Sequence, residues 1–171
     1  GVEQVGRHRY LRLVHPAVAE LLETLAVVGD APATTARPVG PTGALRLARS
    51  CYDHLAGQAG VALTDAFRTA GLLEEAGLDY RVTGAGRERF ASLGIATDAL
   101  AADAITRRRH FARMCLDWSE RRYHVAGALG SALLTLVLER GWFERLPKTR
   151  ALRLTNSGRR ALQREFGVRL V

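Results

Sequence analysis

The stretch "HLAGQAGVALTDAFRTAGLLE" at 54–74 returns as "HVAGALGSALLTLVLERGWFE" at 124–144, an offset of 70. "YRVTGAGRERF" at 80–90 returns as "LRLTNSGRRAL" at 152–162, an offset of 72. "ARSCYD" at 48–53 recurs as "ARMCLD" at 112–117, with six more residues before the next His. A block written twice must form one kind of unit twice. The period is too long for a solenoid, so a pseudo-symmetric pair is expected. The two residues gained between offsets fall in a hairpin, where insertions are tolerated.

Patterning gives each unit its elements. Ala48, Cys51, Tyr52 and Leu55 recur at i, i+3, i+4 and i+7, which predicts a helix, and Phe111, Met114, Cys115 and Trp118 repeat that spacing. Leu63, Ala66, Phe67 and Ala70 predict a second helix, matched by Leu129, Ala132, Leu133 and Leu136. Leu78, Tyr80 and Val82 alternate as a short strand, and "GWFERLPKTRALRLT" reads as a hairpin turning at "LPKT". Thr83 and Thr155 are placed to cap the helices that follow, and a short connecting helix is expected around Asp98–Ile105. The order helix, helix, hairpin, helix describes a winged helix. The expected fold is therefore mainly α with short β-hairpins: a tandem pair of winged-helix-like units, preceded by a wing hairpin and a dimerisation helix.

The front of the chain differs. "VEQVGRHRYLRL" reads as a hairpin with a basic second strand. "HPAVAELLETLAVVGD" reads as a helix with Pro16 in its first turn and Val18, Leu21, Leu22 and Leu25 on one face. "APATTARPVGPTG" holds three prolines and two glycines and reads as a linker. The expected organisation is 1–27 as a wing and dimer helix, 28–43 as linker, 44–96 as the first unit and 97–171 as the second.

Together these front segments resemble the wing and last helix of ArsR-type (arsenical-repressor family) winged-helix transcriptional regulators. In that family the wing often reads Gly-Arg-His-Arg-Tyr, as "GRHRY" does here at 6–10. The resemblance implies a wing over Val2–Leu13, a dimer helix over Pro16–Val27, and a chain that begins inside the wing of a longer regulator. Stretches like "CYDHLAG" and "DWSERR" resemble the long C-terminal extension of some members. The implied partners are DNA, through the full-length regulator, a second copy in a homodimer, and a small-molecule effector. Metal sensing is not implied, because "HPAVAELLETL" offers His15, Glu20 and Glu23 without the family's Asp-x-His pattern.

Charge adds a second reading. The net charge is +8, with residues 1–103 at −2 and residues 104–171 at +10. Lys148 is the only lysine, so the excess is arginine. The bland reading is a solvated Arg-rich surface. The sharper one is a basic nucleic-acid-binding module that uses residues 104–171 directly. Against base reading, "SALLTLVLERG" is apolar almost all round and should be buried. In the first repeat, Asp65 would face phosphates unfavourably.

The candidate DNA contacts are Arg7, His8 and Arg9 on the wing, because Arg suits both phosphates and the minor groove. The candidate effector site is Cys51, Tyr52, His54, Cys115, Trp118 and His124, aromatics beside a few polar groups. Cys51, His54, Cys115 and His124 could supply four tetrahedral ligands. Against that, Cys115 and His124 are nine apart, and a Cys on an apolar helical face is usually a small core residue. The expectation is no metal and no cofactor, with those four kept as the alternative. No Gly-x-Ser-x-Gly and no phosphate-binding glycine loop is present, so no enzyme is expected. Two cysteines make no disulfide framework, and no apolar run approaches the roughly 18 residues that span a bilayer. A cytoplasmic setting with no membrane partner is the default.

Overall fold

Hairpins carry the architecture. A computed structural model describes residues 2–5, 8–11 and 42–170. The chain divides into two compact units, Gly1–Val39 and Gly40–Val171.

In the first unit, β1 (Val2–Val5) pairs antiparallel with β2 (His8–Leu11), with Gln4 opposite Arg9 and Val5 opposite His8. Arg9 is exposed on β2. Arg7, the expected dimer helix Pro16–Val27 and the linker up to residue 41 lie outside the described residues.

The second unit repeats one order: helix, hairpin, helix, hairpin, helix. Its first copy runs α1 (Thr42–Leu47), β3 (Arg49–Cys51), β4 (His54–Ala56), α2 (Gln58–Thr69), β5 (Leu73–Ala76), β6 (Asp79–Val82) and α3 (Gly84–Ser92). Its second runs α4 (Thr97–Thr106), β7 (Arg113–Leu116), β8 (Tyr123–Ala126), α5 (Gly127–Glu139), β9 (Phe143–Arg145), β10 (Leu152–Leu154) and α6 (Asn156–Phe166).

This corrects the expected fold class. Residues 42–170 hold six helices and eight strands in three antiparallel sheets. The architecture is mixed α/β and is not a mainly α pair of winged helices. The segments around Cys51 and Cys115, expected as helices, are hairpins. The physical reason is their length. Over strands of three or four residues, helical and strand periods fit the same apolar positions. The first turn also hides itself: Tyr52 takes the left-handed conformation, φ 57°, where glycine or asparagine would have signalled a two-residue turn.

The two copies are joined reciprocally. β6 of the first copy meets β7 of the second, with Asp79 opposite Arg113, Tyr80 N donating to Ala112 O at 2.7 Å and Met114 N to Leu78 O at 3.0 Å. β3 of the first meets β10 of the second through an Arg49–Ala151 bridge, with Ser50 N donating to Arg150 O and Leu152 N to Ala48 O, both at 2.9 Å. Likewise α2 packs on β8 and α5 on β4. Each copy completes the other's sheet edge, which hides backbone groups that would otherwise be open.

One core runs through both copies. Phe67 meets Phe90 and Phe166 edge-on, each with centroids 5.3 Å apart, and Trp142 meets Phe166 at 6.2 Å. Leu129, Leu133, Leu134 and Val137 of α5 are buried, while Ala132 and Leu136 are half-buried and Thr135 is exposed, so the helix is covered on one face and not all round. Thr83 Oγ1 accepts from Gly86 N at 3.0 Å, and Thr155 Oγ1 from Gly158 N at 2.9 Å, so both expected caps form. Among the described residues, no helix is long and apolar enough to cross a membrane.

Candidate functional site

Register builds the site. Cys51 lies opposite His54 on the β3–β4 hairpin, and Cys115 lies opposite His124 on the β7–β8 hairpin. Directly opposed residues of an antiparallel pair sit about 4.5–5.5 Å apart, so each hairpin presents one thiol beside one imidazole. The first hairpin closes over two residues. The second closes through a longer loop in which Asp117 N donates to Arg122 O at 2.8 Å and Arg121 N to Asp117 O at 2.9 Å.

The hairpins bring their pairs together. The donor atoms of Cys51, His54, Cys115 and His124 all lie within 4.8 Å of one another. His54 Nε2 and His124 Nε2 are 3.2 Å apart, with ring centroids at 5.1 Å. Both imidazoles are buried and both cysteines half-buried, free of any disulfide.

Glycines permit the approach. Gly57 and Gly127 adopt φ 80° and 76° as the chain leaves each hairpin for its helix. Three residues on, a Cβ at Gly60 would stand 2.4 Å from Leu55 O, and one at Gly130 would stand 2.5 Å from Val125 O and 3.0 Å from His54 Cβ. The repeated His-x-Ala-Gly-x-x-Gly is therefore a device for laying a helix against a histidine-bearing hairpin.

A carboxylate stands beside each ring. His124 Nδ1 lies 3.2 Å from Asp117 Oδ2, and His54 Nδ1 lies 3.5 Å from Asp53 Oδ1. An arginine stands behind each carboxylate: Arg49 Nη2 is 2.7 Å from Asp117, and Arg109 Nη2 is 2.5 Å from Asp53. The Arg49–Asp117 pair is almost wholly buried, at 1% and 0% side-chain exposure. Gly57 N donates to Asp117 Oδ2 at 2.7 Å, while Ser119 N and Oγ donate to Oδ1 at 2.9 and 2.8 Å. Arg49 also donates to Leu45 O at 3.0 Å and stacks over Trp118 at 4.6 Å.

Proton affinities follow from these neighbours. Burial would raise the Asp117 carboxyl, but the neighbouring His124 and hydrogen bonds from Arg49, Gly57 N and Ser119 hold it well below the usual carboxylate range. Burial would lower His124, yet Asp117 and Cys51 leave it raised. The neighbouring Cys115, His124 and His54 pull the Cys51 thiol down. The same Cys51 neighbour, with burial, pushes Cys115 up.

Of the six effector candidates, four converge. Tyr52 and Trp118, 59% and 58% exposed, sit on the turns beside them. A surface cleft of about 600 Å³, lined by Ile95, Leu100, Arg107, Arg109 and Leu136 among others, includes none of the six. No motif of the sequence points by itself to Arg49, Gly60 or Gly130 as part of the site. Their signal lies in the repeated "ARSCYD/ARMCLD" and "HLAGQAG/HVAGALG" blocks, which hold Arg49, Gly60 and Gly130. Of the DNA candidates, Arg9 is exposed, His8 is described in its backbone only, and Arg7 lies outside the described residues.

The chain is 42% identical over 170 residues to YdfF, an uncharacterized HTH-type transcriptional regulator of Bacillus subtilis (strain 168), covering 99% of this chain and 74% of that protein. No protein-family model matches the chain, and no solved structure matches it.

Proposed function

The chain belongs to the HTH-type transcriptional regulators, and we propose that within them it is the effector-sensing and dimerising portion of an ArsR-type regulator whose partner is DNA. The observation that carries this reading is the make-up of the cluster: each repeat contributes one cysteine, one histidine and one carboxylate. Occupancy of such a site fixes how the two repeats pack. A ligand that binds one packing better than another shifts the population between them. That shift would travel to the dimer helix over Pro16–Val27 and so to the spacing of two DNA-reading heads. Arg7, His8 and Arg9 on the wing meet DNA in this reading, with arginine on phosphates.

The second reading, a basic module using residues 104–171 directly, rests on the charge split. The fold weighs against it. Arg109, Arg113 and Arg122 of the basic half form ion pairs with Asp53, Asp79 and Asp65 of the acidic half. Their charge is answered within the molecule.

The test is selection of bound duplexes by the product of the whole gene. Arg7→Ala with Arg9→Ala should weaken binding to all sequences about equally and make log affinity less steep in log salt, as loss of phosphate contacts requires. Arg107→Ala with Arg108→Ala should leave the preferred sequence unchanged. A new preferred sequence in that second variant favours the basic-module reading instead.

A further inference from the structure

We infer that Cys51, His54, Cys115 and His124 form one tetrahedral site for a borderline-soft divalent cation of the zinc class, half of it supplied by each repeat. This reverses the expectation of no metal, and hairpin register is the reason. On a helix Cys115 and His124 are nine residues apart. On the β7–β8 hairpin they are direct partners.

The donor set fits the ion. Two sulfurs and two imidazole nitrogens suit zinc and exclude magnesium and calcium, which take oxygen. Four ligands on tetrahedral zinc stand ~3.3–3.8 Å from one another, given bonds of ~2.0–2.3 Å. The two Nε2 atoms already stand at 3.2 Å, and the widest separation in the set is bounded at 4.8 Å. Side-chain rotation of about 1 Å closes the rest.

The ring orientation points the same way. Asp53 Oδ1 stands 3.5 Å from His54 Nδ1 and Asp117 Oδ2 3.2 Å from His124 Nδ1, so each carboxylate lies on the side of its ring away from Nε2. The two Nε2 atoms point at each other inside the protein, 3.2 Å apart. A shared proton or a cation relieves that contact. The two cysteine sulfurs converging on the same point select the cation. Carboxylates behind metal-bound histidines are the usual support for such ligands, and here each carboxylate is itself held by an arginine. The half-exposed cysteines give the ion a way in. Four protein ligands leave no open position, so the ion organises structure and does not activate water.

This assignment stands whether or not the cation is the effector of the regulatory reading, because binding and DNA response are measured separately. The purified protein, kept under a thiol reductant, is titrated with cobalt(II) and then with zinc(II). One cobalt per chain should bind, giving the strong visible absorption of tetrahedral cobalt and thiolate-to-cobalt charge transfer in the near ultraviolet. Zinc should displace it. Cys51→Ser with Cys115→Ser, checked for its fold by circular dichroism, should lose the charge-transfer band and bind at least 100-fold more weakly. Failure of the reduced wild-type protein to give a tetrahedral spectrum overturns the assignment, as does unchanged affinity in the folded double variant. Since the wild-type spectrum decides by itself, a variant that fails to fold leaves the test intact.

Discussion

Asp117 is where the longer hairpin loop, the buried arginine and the buried histidine meet. Its Oδ1 takes Arg49 and Ser119, and its Oδ2 takes Gly57 N beside His124. Removing the carboxylate strands Arg49 at 1% exposure with its charge unanswered. Breaking a buried pair in this way typically costs about 3–5 kcal/mol. Asp117→Ala should lose that much in urea denaturation, far above the about 0.5 kcal/mol of an ordinary surface change. A loss under about 1 kcal/mol would mean that Arg49 finds another acceptor, and that the loop does not depend on Asp117.

At the level of elements, the joint between β6 and β7 is where one repeat docks on the other, and Tyr80 lies there, opposite Glu75 and 4% exposed. Burial pushes its phenol from the ordinary 10 up to about 12. A raised value in the folded state gives stability that is full below the unfolded value and is lost as pH rises through the folded one. The melting temperature should therefore fall between pH 10 and 12, and fall less in Tyr80→Phe. An identical fall in both proteins would remove Tyr80 as its cause. Elements of this size also show what the sequence discloses. The faces of α2 and α5, the hairpin turning at "LPKT" and the caps Thr83 and Thr155 were legible, because helices of three turns and hydroxyl caps leave long or specific signals. The Cys/His hairpins were not. Their strands are three or four residues long, one turn carries Tyr52 where glycine is usual, and the other is organised by the Asp117 side chain. Read as helices, they separate Cys115 from His124. Read as hairpins, they bring both pairs to one point.

For the whole molecule, duplication supplies both the fold and the site. Each repeat alone has an open sheet edge and half a set of donors, and the reciprocal pairing of β6 with β7 and of Arg49 with Ala151 completes both at once. The same interlocking sets Arg109, Arg113 and Arg122 of the basic half against Asp53, Asp79 and Asp65 of the acidic half. A site shared by two packed repeats is suited to control their arrangement, and coupling free energies between sites usually correspond to about 5- to 150-fold in affinity. The decisive measurement is the affinity of the whole gene product for its selected duplex, with zinc(II) and with a chelator, in the wild type and in Cys51→Ser with Cys115→Ser. The wild type should change by at least about 5-fold between the two conditions and the double variant should not change. A wild-type affinity that is the same with and without zinc would contradict the claim that the interlocked repeats sense through this cluster.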